Sequence, residues 1–152
     1  MNTAASETKL IWPGLGGFYG SCSDIAYTLV RIAIGYILFM HGWAKIGMGA
    51  GAVATNVMAK NGLEPAMFFA MAAMFLETVG AVCIVLGLFT RFFAAALAIE
   101  MAIAFIFVHG PKGFPAGQGG FEYVLLLGIV LLMIAIRGGG PYSVDRLIGR
   151  EL

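Results

Sequence analysis

Four long apolar runs, set apart by short polar or glycine-rich breaks, organise the chain. The first extends from about Ile25 to Ile46, with Asp24 or Ser23 placed to cap its start. The second covers about Ala66 to Phe89 and opens just after Glu64-Pro65, a common helix-start pattern. Thr90-Arg91 reads as a very tight connection to a third run, about Phe92 to Val108. Glycine and proline dominate "HGPKGFPAGQGG", His109 to Gly120, which therefore reads as loop. The fourth run, about Phe121 to Ile136, stops at Arg137-Gly138-Gly139-Gly140-Pro141. The last two runs are short against the roughly 20 residues that a membrane crossing needs, so flanking loop is expected at membrane depth.

Composition turns these runs into membrane spans. With 61% hydrophobic and only 11% charged residues over 152 positions, a soluble domain could not hide its apolar surface. Lipid is the expected solvent. Helices are then the economical choice, because every amide in hydrocarbon must be satisfied inside its own segment. The predicted fold is all-α, an integral membrane four-helix bundle with short loops and an N-terminal interfacial arm. Expected boundaries are 1–23 for the arm, 24–145 for the bundle and 146–152 for a tail. The arm's "LIWPGLGGFYG" carries Trp12, Phe18 and Tyr19, aromatic residues suited to an interface, and the N-terminus does not read as a cleaved signal peptide. Four spans put both termini on one side. That side carries Lys9, Arg91, Arg137, Arg146 and Arg150, against Lys45, Lys60 and Lys112 opposite, so both termini are expected in the cytoplasm.

A net charge of +1 gives no electrostatic case for nucleic acid. Cys22 and Cys83 form no C-x-x-C, which disfavours a dithiol site. No phosphate loop, dinucleotide fingerprint or Ser-His-Asp constellation is present, and the nine methionines read as packing. His41 and His109 invite a bis-histidine haem, but His109 opens the Gly-Pro loop, so haem is disfavoured; a metal lacks a third ligand.

Six ionisable residues fall in or beside the spans: Arg31, His41, Lys45, Glu77, Glu100 and Glu122. A charge near the bilayer centre costs at least about 2.5 kcal/mol, so such groups normally face a bundle interior and pair. At about 100° per residue, Arg31, Gly35, Leu38, Gly42 and Lys45 share a narrow stripe on the first helix, with His41 at its edge. The two glycines would admit a close neighbour. The expected arrangement is a polar column, with Arg31 against Glu77 and Glu100 inside, and Lys45 and His41 against Glu122 outside. The alternative is that Arg31 and Lys45 snorkel to opposite interfaces, Glu122 serves its helix N-terminus, and the central glutamates form a structural ion pair.

These residues together resemble the DoxX family of small bacterial four-helix membrane proteins. The resemblance rests on Arg31-x3-Gly35-x5-His41-Gly42-x2-Lys45, "ETVGAVCIVLGLFTR" (Glu77 to Arg91), Glu100-Met101 and "GGPYSVD" (Gly139 to Asp145). It covers nearly everything from Ile25 to Asp145. The family is named from a terminal quinol oxidase preparation and is similar to the membrane subunit of an archaeal thiosulfate:quinone oxidoreductase. Another member associates with oxidative-stress proteins. The resemblance implies a multipass inner-membrane protein in a redox system, and the polar column would bind a quinone headgroup. A soluble or membrane redox protein is the implied partner. Two other readings stay open: a non-catalytic scaffold or assembly partner, and a small-solute or proton transporter.

Overall fold

The computed structural model describes residues 9–151 and is helical throughout, without a strand among them. Residues 1–8 of the expected arm and Leu152 of the expected tail lie outside the described residues. After a turn at Pro13–Leu15, α1 runs over Gly16–Met48. A second, short helix α2 covers Ala50–Val53. Then come α3 over Ala66–Leu86 and α4 over Thr90–Lys112, which with α1 are the three helices long and apolar enough to cross a membrane. The 16-residue α5, Glu122–Arg137, is the shorter fourth, about 24 Å at 1.5 Å per residue. A five-residue α6, Val144–Ile148, ends the fold.

Three boundaries differ from the sequence expectation. Helix α1 begins at Gly16, so Ser23 and Asp24 lie inside it and cap nothing. The Asp24 backbone carbonyl accepts from Thr28 Oγ1 at 2.8 Å, while the Asp24 carboxylate reaches sideways to Arg137 at 3.4 Å. The α3–α4 turn is Gly87–Phe89, and Thr90 and Arg91 are already helical. Helix α4 also continues past Val108 to Lys112, absorbing the start of the expected loop.

The α3–α4 turn is where the bundle is pinned. Gly87 sits at φ 70° and ends α3. A Cβ there would lie 2.5 Å from Ser143 Cβ and 2.6 Å from Arg31 Nη1, so no other residue fits. The Arg31 guanidinium, on α1, donates to the carbonyls of Ile84 (2.6 Å), Val85 (2.8 Å) and Tyr142 (2.7 Å). It thereby satisfies the orphan carbonyls of α3, the negative end of that helix's dipole. Asp145 does the converse for α4. Its carboxylate accepts from the amides of Phe89 (2.7 Å) and Thr90 (2.9 Å) and from Thr90 Oγ1 (2.6 Å). Both side chains are 1% exposed. On the same end, Arg91 donates to the last carbonyls of α5 and to Glu151.

Helices α1 and α3 run antiparallel and touch through glycine. A Cβ on Gly35 would fall 2.8 Å from the Ala81 carbonyl oxygen, and one on Gly42 2.6 Å from that of Glu77. The close approach expected from this stripe is therefore present. Helix α4 packs along α5, and the two pairs meet through buried Leu38, Leu97, Leu127 and Leu131. A smaller second core has no counterpart in the four-run pattern. The segment from α2 through Leu63 folds back over the first half of α3, burying Val53, Ala54, Met58 and Leu63 against Ala70 and Ala73.

Asp145→Ala leaves buried donors without an acceptor, at about 1–3 kcal/mol each. Its melting temperature in detergent should fall clearly, and Asp145→Asn should fall less; an unchanged melt would contradict the capping role. Gly42→Ala must push α1 off α3 and should also lower the melt. Gly47→Ala, with open space around it, should be neutral or gain up to about 1 kcal/mol from helix propensity. Equal effects at the two glycines would contradict the seam.

Candidate functional site

The glycine seam brings Lys45 to Glu77. With the backbones in contact at Gly42, the next turn of α1 carries the Lys45 ammonium onto the Glu77 carboxylate, as a direct ion pair. Lys45 is 21% exposed and Glu77 6%, so the lysine bends inward instead of snorkelling to the interface. From α4, Glu100 lines the same cavity as Lys45 and Glu77. The Glu100 Oε2 atom is itself buried and has no hydrogen-bond partner among the described residues. One ammonium and two carboxyl groups, from three helices, thus line a single cavity.

This cluster lies on the wall of a cavity of about 450 Å³. Its other walls are mostly apolar: Met58 and Leu63 from the folded-back segment, Phe69 and Ala73 from α3, Met101 from α4 and Leu127 from α5. His41, Tyr123 and His109 add polar edges. The rings of His41 and Tyr123 lie 6.2 Å apart, and His109 Nδ1 donates to the Gly119 carbonyl at 2.7 Å, tying the 113–120 loop over one end. Phe68 and Ile99 also line the cavity, and both are more than 60% exposed on the apolar surface. The cavity therefore reaches the lipid-facing side between α3 and α4. Its shape and lining suit a small lipophilic ligand with a polar head.

Local helix geometry sets several of these walls. Hydrogen bonding widens to i→i+5 over Ala54–Met58, Leu76–Gly80 and Ala104–His109. Each widened turn contributes lining: Val57 and Met58, Leu76 and Glu77, Val108 and His109. Such turns shift the side-chain phase and recur at functional sites. Glu77 owes its aim to one of them.

Of the six residues singled out from sequence, His41, Lys45, Glu77 and Glu100 come together on this cavity. The other two do not. Arg31 pairs with neither glutamate, because its guanidinium is engaged by the carbonyls at the end of α3 and by Tyr142. Glu122 does not meet Lys45 or His41. It is exposed, and its carboxylate accepts from the Ala116 amide at 3.1 Å, bracing the loop before α5. Its place beside Lys45 is taken by Glu77, which the glycine contact brings nearer. Neither Tyr123 nor the apolar walls carry a sequence signal that marks them. The sequence points to His109 only as a haem ligand. The role of Asp145 is not legible in the sequence, since an aspartate capping a helix 55 residues earlier leaves no local signal.

Among known proteins, the DoxX family model matches residues 26–110. A Haemophilus influenzae protein named only as uncharacterized is 34% identical over 127 residues, covering 76% of this chain and 85% of its own length. A Bacillus subtilis protein bearing the name "Putative oxidoreductase CatD" is 31% identical over 125 residues, covering 82% and 88% respectively. No solved structure matches the chain. With the family model spanning more than half of the residues and relatives aligned over most of their length, the chain belongs to the DoxX family.

Proposed function

We propose that this protein is a multipass inner-membrane subunit or partner of a redox system, and that its cavity holds a quinone-class ring. One observation carries the reading: an apolar cavity open to the lipid face ends at a buried cluster of one ammonium and two carboxyl groups. A lipophilic carrier could enter from the bilayer between Phe68 and Ile99 and place its oxygenated head at the cluster. Lys45 offers hydrogen-bond donors to a ring oxygen, and the Glu77–Glu100 pair can hold or pass a proton there. Electron transfer is assigned to a soluble or membrane redox partner. The name of the Bacillus subtilis relative supports this class of activity. Cytoplasmic termini belong to the same proposal, supported by the excess of basic residues (Arg91, Arg137, Arg146 and Arg150) toward the end where α6 docks.

Purified protein should bind short-tailed ubiquinone and menaquinone analogues saturably, in at least one redox state, with no haem band in its optical spectrum. Lys45→Met should weaken that binding at least tenfold, whereas Glu122→Gln should leave it unchanged. If no analogue binds in either state, the cavity reading fails and a scaffold role takes its place. For orientation, Cys22 and Cys83 are first replaced by serine. A new cysteine at Gly117 should then react with an impermeant thiol reagent from outside, and one at Gly149 should not. The reverse pattern would invert the topology.

A further inference from the structure

Two polar side chains on the cavity wall, His41 and Tyr123, have no hydrogen-bond partner among the described residues. The other histidine there, His109, donates to the Gly119 carbonyl, and Lys45 is paired with Glu77. His41 and Tyr123 meet only as rings, 6.2 Å apart, where α1 passes the start of α5. His41 lies one turn of α1 before Lys45, an axial step of about 6 Å. That step is comparable to the separation of two para oxygens on a six-membered ring. The cavity opens to lipid at Phe68 and Ile99, between α3 and α4, so the His41–Tyr123 pair stands on the α1–α5 side, away from the mouth.

The surrounding solvent makes this second polar edge matter. Lipid tails are as apolar as the cavity walls, so a ring leaving the bilayer gains little from the walls alone. Specific affinity has to come from its oxygens, which find no donors in hydrocarbon. A cavity that partnered one oxygen only would leave the other as unsatisfied as before. Neutral imidazole carries one donor and one acceptor nitrogen, and a phenol hydroxyl can act as either. The pair therefore meets a carbonyl or a hydroxyl and does not choose between oxidised and reduced rings. Resting on the quinone-class reading above, we infer that the cavity grips its ring at both ends. Lys45, Glu77 and Glu100 hold one oxygen, and His41 with Tyr123 holds the oxygen para to it. The ligand class narrows to rings oxygenated at opposite positions, and singly oxygenated rings are disfavoured.

Four short-tailed probes test this on the full-length protein in nanodiscs, under anaerobic conditions. They are a benzoquinone, its quinol, and the two phenols that each keep one of the quinol's hydroxyls. Quinone and quinol should both bind. The quinol should bind about tenfold tighter than either phenol, the loss expected for one hydrogen bond. In the double variant His41→Leu with Tyr123→Phe, quinol binding should fall to the level of one phenol, which keeps its parent affinity, while the other phenol weakens further. Tyr123→Phe alone, which removes a single oxygen, should reproduce part of that loss; melting curves and elution profiles report whether both variants remain folded. A phenol that binds the parent as tightly as the quinol would overturn the two-ended grip while leaving the quinone-class site in place. A quinol preference over both phenols that persists in the folded double variant would overturn the role of His41 and Tyr123. Binding of only one redox form would also overturn it, since the pair meets both. Failure of all four probes would remove the site reading itself. The comparison of probes on the parent protein decides the two-ended grip even if neither variant folds.

Discussion

A backbone in hydrocarbon cannot borrow hydrogen bonds from water, and this constraint decides where the charges of the protein go. Two helices meet in the turn at Gly87–Phe89, leaving the carbonyls of one and the amides of the other without partners inside their own helices. Arg31 answers the carbonyls and Asp145 the amides. Each charge sits at the dipole end it favours, which makes burial of both tolerable. Arg91 closes the end of α5 in the same way. The "GGPYSVD" stretch is thus a structural clamp that reaches back over the whole bundle.

Once those residues are engaged by helix ends, Lys45, Glu77 and Glu100 remain. Their meeting depends on Gly42, since any side chain there would collide with the Glu77 carbonyl. The ion pair between Lys45 and Glu77 satisfies one carboxylate. Glu100 is left with a buried oxygen that no helix end requires. Leaving a polar atom unsatisfied inside a membrane bundle is unfavourable, and such groups commonly belong to a ligand or proton pathway. The cavity beside it, reaching lipid at Phe68 and Ile99, gives that atom something to face.

Much of the architecture is legible in the residue pattern. Apolar runs of the right length announce the spans, and the Gly35 and Gly42 stripe announces the close helix pair. Depth along a helix is legible as well, which is why Glu77 and Glu100 stand out as central. Partner choice is not. Arg31 lies on the same stripe as Lys45, and periodicity alone cannot say that one turns toward a helix end and the other toward a glutamate. The segment after α1 escapes for another reason: its alanines, valines and glycines are too few and too mixed to show a period, yet tertiary contact with α3 makes it helical. The i→i+5 turn at Glu77 likewise has no sequence signature, and it rotates the side chains that follow it.

The central claim is that the cavity of Lys45, Glu77 and Glu100 receives a lipophilic ring from the bilayer. Photolabelling addresses it most directly, using an azido-quinone in nanodiscs with the adducts located by peptide mass spectrometry. The account predicts adducts on the cavity walls of α3 and α4, around Phe68, Phe69 and Ile99, suppressed by excess unlabelled ligand. Adducts confined to the lipid-facing side of α5, around Ile129, Leu132 and Ile136, and indifferent to competitor, would contradict it.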